Sequence, residues 1–422
     1  MPSVVLVDRD GAEHTVSTLL DLQHRVFRNG MRPDSGTLAQ AVATVANGQP
    51  VPAALQRLLD EFGEVGSGGQ TLSQATSVYN FKAGNTRRLR SALGMARART
   101  GTARLAFLGD SVTAGQGSTR GTNDPTAFLR QELQSRGFLA ADLSHSYSGV
   151  DDPRITYEGG GFAFPWGEVT GTPGTCTGWG TVFELWTTTL AQPFTVAIDG
   201  GAPQTFTPSG ANPPGIQRFA VTGLTDAQHT ATITRTTGTG SVFIFDSGFR
   251  PHAGVVLHNA GMSGATVGNW LEAAAWQGAT REYTAEWTLF GVASAIDPDL
   301  AVIELGLNDR WQSVSVATYR SQLGTLVDRA RVKGATVALA VSNSPQGGEA
   351  DSANPKWAEY VGAVYAVADD KDCPLLDLTH RWGPFDTYNR DGHPLDLAYD
   401  GAHLTAAGNA AKAQAWINLL GL

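Results

Sequence analysis

Five short apolar runs, each bounded by turn residues, constrain this chain more than anything else in it. They are Leu105 to Leu108, Gly254 to Leu257, Leu300 to Leu305, Thr336 to Val341 and Leu375 to Leu378. Runs this short and this predominantly apolar read as strands buried on both faces, and helical stretches between them imply parallel neighbours. Helical patterning over 85–99, 125–136, 263–276, 315–332, 355–369 and 405–420 supplies the covering layers, with Thr405 as the N-cap of the last stretch. The pattern predicts an α/β fold around a parallel sheet.

The texture changes between 155 and 250. Val182 to Trp186, Phe194 to Ile198, Ala231 to Thr234 and Ser241 to Phe245 are β-rich runs separated by turn signals such as Asp199-Gly200-Gly201 and Pro213-Pro214-Gly215. Helical periodicity is nearly absent there, which predicts an inserted all-β domain, a sandwich or jelly roll. At the other end, 1–70 begins with a strand candidate at Val4 to Val7 and carries helical patterning around Thr18 to Phe27 and Pro52 to Phe62. Four glycines between Gly63 and Gly69 mark a linker after it. The predicted organisation is an attachment or packing segment at 1–70, a core in two parts at 71–154 and 251–422, and the β insert at 155–250.

A formal net charge of −9 argues against nucleic acid as a partner, since a phosphate backbone calls for surplus Lys and Arg. The basic cluster Arg87, Arg88, Arg90, Arg97 and Arg99 reads as the solvated face of a helix. Two cysteines in dissimilar regions, Cys176 and Cys373, predict neither a disulfide framework nor a zinc site. The first ten residues lack a signal-peptide pattern and no apolar stretch is long enough to span a bilayer. The expectation is a soluble protein, virion-associated or exported by a non-standard route.

The chemistry sits at the ends of the runs. Ser111 follows the first of them in Gly109-Asp110-Ser111, Gly261 follows the second, and Asn308 follows the third in Gly306-Leu307-Asn308-Asp309. In a parallel sheet the carboxyl ends of strands share one crevice. Asp400 and His403 precede the final helix, where both can reach that edge. An Asp three residues before a His can hold one ring nitrogen while the other faces a serine hydroxyl, which needs such a base to become nucleophilic. The backbone N–H groups of Ser111 and Gly261 and the side-chain amide of Asn308 are candidate donors to an oxyanion.

These blocks, Gly109-Asp110-Ser111, Gly261, Gly306-Leu307-Asn308-Asp309 and Asp400-Gly401-Ala402-His403, resemble the four blocks of the SGNH (GDSL-type) serine hydrolases in the family's order. The resemblance covers roughly 100–150 and 251–422. It implies a three-layer, flavodoxin-like core and an esterase that works through an acyl-enzyme with no metal or organic cofactor. Ser111 is then the nucleophile, His403 the general base and Asp400 its orienter. Ser111, Gly261 and Asn308 form the oxyanion hole.

Other readings stand beside this one. His258, His380 and His393 are rival histidines, His393 the nearest competitor, and Asp110 reads as structural. Arg310 and Trp311 are candidates to line a substrate cleft. Tyr157, Phe162, Phe164, Trp166, Trp179 and Trp186 cluster near the start of the insert, and Trp166 and Trp179 are candidate sugar-stacking residues against the default of core packing. The expected substrate is a carbohydrate ester, an O-acetyl group on a polysaccharide or cell-envelope glycan. Alternatives are a lipase or thioesterase with the same triad, and a glycan-binding or structural module with accessory esterase activity. The last follows a loose resemblance to tail-associated proteins of actinobacterial phages, in which 1–70 would dock to a larger assembly.

Overall fold

The computed structural model describes residues 4–7, 13–16, 77–143, 152–156, 158–159, 167–188, 191–210, 216–236, 242–271, 295–348, 356–388 and 400–422. The helical patterning and glycine-rich linker expected within 17–70, together with His393 and Trp166, lie outside these residues. The chain divides into two compact units, Met1–Tyr79 and Asn80–Leu422. In the first, β1 (Val4–Val7) pairs antiparallel with β2 (Glu13–Val16), and β3 (Val78–Tyr79) ends the unit.

The second unit is α/β. Its parallel strands are β4 (Thr102–Gly109), β5 (Ala140–Asp142), β13 (Gly254–Gly261), β14 (Leu300–Glu304), β15 (Thr336–Val341) and β16 (Leu375–Asp377). They lie side by side in the order β16-β15-β14-β4-β13-β5. Every residue of β14 and β15 is buried, as strands covered on both faces require. Helices Arg87–Arg97, Pro125–Ser135, Val316–Arg331, Trp357–Asp370 and Ala406–Leu419 turn apolar stripes inward, and Trp416 stacks on Phe107 with ring centroids 4.2 Å apart. Thr405 caps the last helix by accepting from the Gly408 amide. Chain order reverses around β4: β5 and β13 lie to one side, β14 to β16 to the other. Such a switch point opens a crevice at the carboxyl end of the strand.

Between β5 and β13 the chain builds a second, antiparallel sheet. Its strands are β6 (Glu158–Gly159), β7 (Gly167–Val169), β8 (Gly174–Thr188), β9 (Phe194–Ile198), β10 (Gln204–Phe206), β11 (Ile216–Arg235) and β12 (Val242–Arg250), in the order β10-β9-β11-β8-β12-β7-β6. All are hydrogen-bonded into one sheet. The strands run longer than the apolar runs announced, because β8 and β11 continue through residues whose outward side chains are polar. The sheet curls over its own apolar face, bringing Phe206 of β10 to 5.3 Å from Phe219 of β11 and gathering Phe183, Phe194, Val196, Ile233 and Ile244 into one core.

A buried polar seam joins the two sheets. Glu184 of β8 is fully buried and accepts from Arg104 of β4 at 2.9 Å, Arg250 at 2.6 Å and Arg218 at 2.8 Å. Burial alone would raise its carboxyl, but these guanidinium groups hold it down at about 2. His258 of β13 pairs with Asp246 of β12 at 2.7 Å, both buried. The expected solvated basic face is only partly so: Arg88 reaches Asp299 at 3.0 Å and the Lys333 carbonyl, and Arg97 lies over the Phe138 ring. Among the described residues no helix is long and apolar enough to cross a membrane.

Candidate active site

The position of Ser111 follows from how β4 ends. Gly109 closes the strand where a Cβ would meet Thr113 Oγ1 at 2.0 Å, so the backbone can turn only because that side chain is missing. Asp110 then caps the short helix Ser111–Ala114 by accepting from the Val112 amide at 2.9 Å, and Gly115, at φ 77°, ends it. Ser111 is left at the mouth of the crevice, 5% exposed.

The last loop meets it there. His403 Nε2 lies 2.8 Å from Ser111 Oγ, and His403 Nδ1 lies 2.7 Å from Asp400 Oδ2. With the ring proton on Nδ1 toward the carboxylate, Nε2 is left to accept from the hydroxyl. The other oxygen of Asp400 accepts from the backbone amides of Ala402 and His403 at 2.8 and 2.7 Å, fixing the loop as well as the ring. Burial alone would raise the Asp400 carboxyl; the bonds from the His403 ring and these amides outweigh it and hold the group below its ordinary value. Asn343 secures the same loop by donating to the Ala402 carbonyl at 2.9 Å. Among the rivals, His258 is engaged in the seam and His380 is exposed.

Two expected site residues take other positions. The Gly261 amide donates to Asn259 Oδ1 at 3.0 Å, so it is committed and does not face an oxyanion. Gly261 is required for packing instead: a Cβ there would meet the Ala114 nitrogen at 2.3 Å. Arg310 is buried rather than lining a cleft. Its Nη2 donates to the carbonyls of Gly347 and, more distantly, Gly348, at 3.1 and 3.4 Å, and the neighbouring Gln346 amide donates to Gly401. Arg310 thus braces the loop carrying Asp400 and His403. Trp311 is 42% exposed, and Trp179 is 64% exposed in the antiparallel sheet.

Asn308 is buried, with Nδ2 3.2 Å from the Ala265 carbonyl and only a long 3.4 Å contact to Asp110 Oδ2. That second amide hydrogen is weakly held. The Ser111 amide opens a helical turn and has no acceptor within it. Gly264, three residues beyond Gly261 in the same loop and at φ 72°, keeps its amide free of protein acceptors among the described residues.

Beneath the serine lies a buried charged group that the sequence reading did not single out. Glu304, the last residue of β14, accepts from Lys412 Nζ at 2.7 Å and Thr113 Oγ1 at 2.9 Å, and Lys412 also donates to the Val112 carbonyl at 3.2 Å. A charged residue ending an apolar strand and a lysine on a helix otherwise turned inward were the only signals. Two more acids crowd the floor. Asp110 is pushed up to about 7 by burial and by Glu304, and Asp309 to about 7 by burial, although the Val267 amide donates to its carboxylate. Among the described residues no cluster of three or more His, Cys, Asp and Glu is arranged to hold a metal ion.

Residues 231–411 match the GDSL-like Lipase/Acylhydrolase family. This stretch, less than half of the chain, carries a GDSL-like acylhydrolase domain. The matched stretch contains Asn308, Asp400 and His403; Ser111 precedes it. In fold the chain is similar to a peptidoglycan O-acetylesterase, at 14% identity over 82% of this chain and 98% of that one, with a TM-score of 0.55. Weaker likenesses include a two-domain esterase active on acetylated mannans, at 13% identity, 83% and 57% coverage and a TM-score of 0.40. A variant of an acetyl-xylooligosaccharide esterase from Geobacillus Stearmophilus gives 16% identity, 77% and 97% coverage and a TM-score of 0.37. No curated protein matches the chain.

Proposed function

We propose that this hydrolase removes O-acetyl groups from a polysaccharide or cell-envelope glycan through an acyl-enzyme on Ser111. The observation that carries the mechanism is the continuous relay from Asp400 through His403 to the Ser111 hydroxyl, with both links under 3 Å. His403 Nε2 takes the hydroxyl proton as Ser111 Oγ attacks the ester carbonyl, and Asp400 stabilises the imidazolium that forms. The tetrahedral oxyanion is received by the amides of Ser111 and Gly264 and by Asn308 Nδ2. Collapse expels the sugar alkoxide, which takes the proton back from His403. Water then repeats the sequence on the acyl-enzyme and releases acetate.

The acetyl glycan preference draws support from the peptidoglycan O-acetylesterase that shares the fold. Fluorophosphonate labelling of the wild type and its absence in Ser111→Ala test the nucleophile. Acetate release from O-acetylated peptidoglycan and xylan, set against p-nitrophenyl esters of increasing chain length, tests the substrate. Turnover confined to long-chain esters overturns the acetyl preference and leaves a lipase.

A further inference from the structure

A cavity of about 580 Å³ opens between the edge strand β5, the helix Pro125–Ser135 and strands β8 and β12. Its volume falls within the roughly 300–1,000 Å³ usual for small-ligand sites. It is not the ester site. Arg99 and His252, on its wall, precede the amino ends of β4 and β13, whereas Ser111 follows the carboxyl end of β4. Eight strand residues at about 3.3 Å each separate the two ends.

Trp179 stands on this cavity, more exposed than any other Trp or Phe among the described residues. Leaving an indole in water forgoes its burial, yet the ring is held in place. Its Nε1 donates to Asp226 Oδ1 at 2.9 Å. Asp226 lies in the irregular stretch where β11 slips register against β8, between Thr222 and Ala227. On either side of Trp179 the strand carries glycine: a Cβ at Gly178 would press on Phe249 at 3.2 Å, and one at Gly180 would strike the Arg250 backbone at 2.5 Å. Those glycines face the other side of the sheet, so the indole, tethered by Asp226, is an exposed flat face whose neighbours along its own side of the strand are Thr177 and Thr181. Polar groups surround it without filling the space. Gln134 donates to the Ala140 carbonyl, Asp226 accepts from the indole through one oxygen, neither side chain's other oxygen has a partner among the described residues, and Arg99 brings a guanidinium. Arg130 and Arg154 are already paired with Asp142 and Asp152, which argues against a simple anion site.

An apolar ring face bordered by both donors and acceptors complements a sugar, whose C–H face is apolar and whose hydroxyls radiate from the rim. We infer that this cavity is a second, non-catalytic carbohydrate site in which a pyranose of an oligosaccharide stacks on Trp179. Such a site holds a polymer on the enzyme while a distant residue of the same chain is presented to Ser111. It stands independently of the ester chemistry, because its test contains no ester.

Isothermal titration of the wild type, Trp179→Ala and Trp179→Phe with chitotetraose, xylotetraose and mannotetraose decides it. Saturable binding of at least one of the three is expected, weakened about tenfold or more in Trp179→Ala, the scale of losing an aromatic anchor. Trp179→Phe keeps a stacking face and retains most of the affinity, and thermal unfolding of both variants reports that the sheet is intact. The bound oligosaccharide leaves wild-type p-nitrophenyl acetate hydrolysis unaltered. Absence of saturable binding to all three glycans, equal affinity in Trp179→Ala, or competitive inhibition of p-nitrophenyl acetate hydrolysis each overturns the inference.

Discussion

Glu184 in the seam and Glu304 under the serine are both buried strand glutamates, 0% and 1% exposed, and they are compensated very differently. Glu184 meets three guanidinium groups, and its carboxyl is held down at about 2. Glu304 meets one ammonium and one hydroxyl, its Oε1 has no hydrogen-bond partner among the described residues, and Asp110 beside it is raised to about 7. The seam satisfies its charge and so fastens one sheet to the other. The floor of the site keeps acids crowded in low dielectric, which costs stability and concentrates perturbed groups where chemistry is expected.

Substitutions in the two regions therefore fail in different ways. The largest effect belongs to the site: Ser111→Ala lowers p-nitrophenyl acetate turnover by about 10⁴-fold or more with an unchanged melting temperature. A variant that kept its turnover would separate the relay from the reaction. Next comes the seam. Glu184→Ala leaves three guanidinium groups around an empty site and lowers stability by about 3–5 kcal/mol, read by urea unfolding. Turnover per folded molecule stays close to wild type; a large loss would mean that the seam also shapes the active site.

A smaller effect tests the donor assignment. Asn308→Ala lowers kcat about 10²–10³-fold, the scale of losing one oxyanion donor, with little change in KM. An unchanged kcat would leave Asn308 as a structural bond to Ala265. The smallest effect is in pH dependence. Burial raises the Asp309 carboxyl from 3.8 to about 7, so between those values the folded protein keeps a proton that the unfolded chain has released. Its contribution to stability therefore declines as pH rises from about 4 to 7, and Asp309→Asn flattens the stability curve across that window. Glu184 has the opposite sign: its contribution is present above 4.5 and is lost as pH falls toward 2. Melting temperatures from pH 3 to 8 for Asp309→Asn and Glu184→Ala against the wild type read both.

The strands were legible because a run such as Val337 to Val341 is apolar throughout, and only a strand covered on both faces needs that. The ends of those strands pointed to Ser111 and Asn308, and the final loop to Asp400 and His403. Gly261 misled because sequence shows that a glycine lets the backbone approach something closely and does not show what. Here the close neighbour is the Ala114 backbone, and the amide has gone to Asn259. Arg310 misled in the same way, since a charged residue beside a catalytic motif reads as exposed until a loop from elsewhere supplies carbonyls to bury it.

Local spacing, read along the chain, determined an α/β core, a β-rich interruption and the residues proposed to cleave an ester, because periodicity and turn chemistry act over a few residues. Who meets whom across long separations was decided only in three dimensions. The 2.8 Å contact between residues 111 and 403, the pairing of Glu304 with Lys412 and the three arginines on Glu184 depend on strand order and on how one sheet leans against another. Charge placement inside the fold follows from that packing, since the cost of a buried carboxylate is set by the neighbours tertiary structure brings to it.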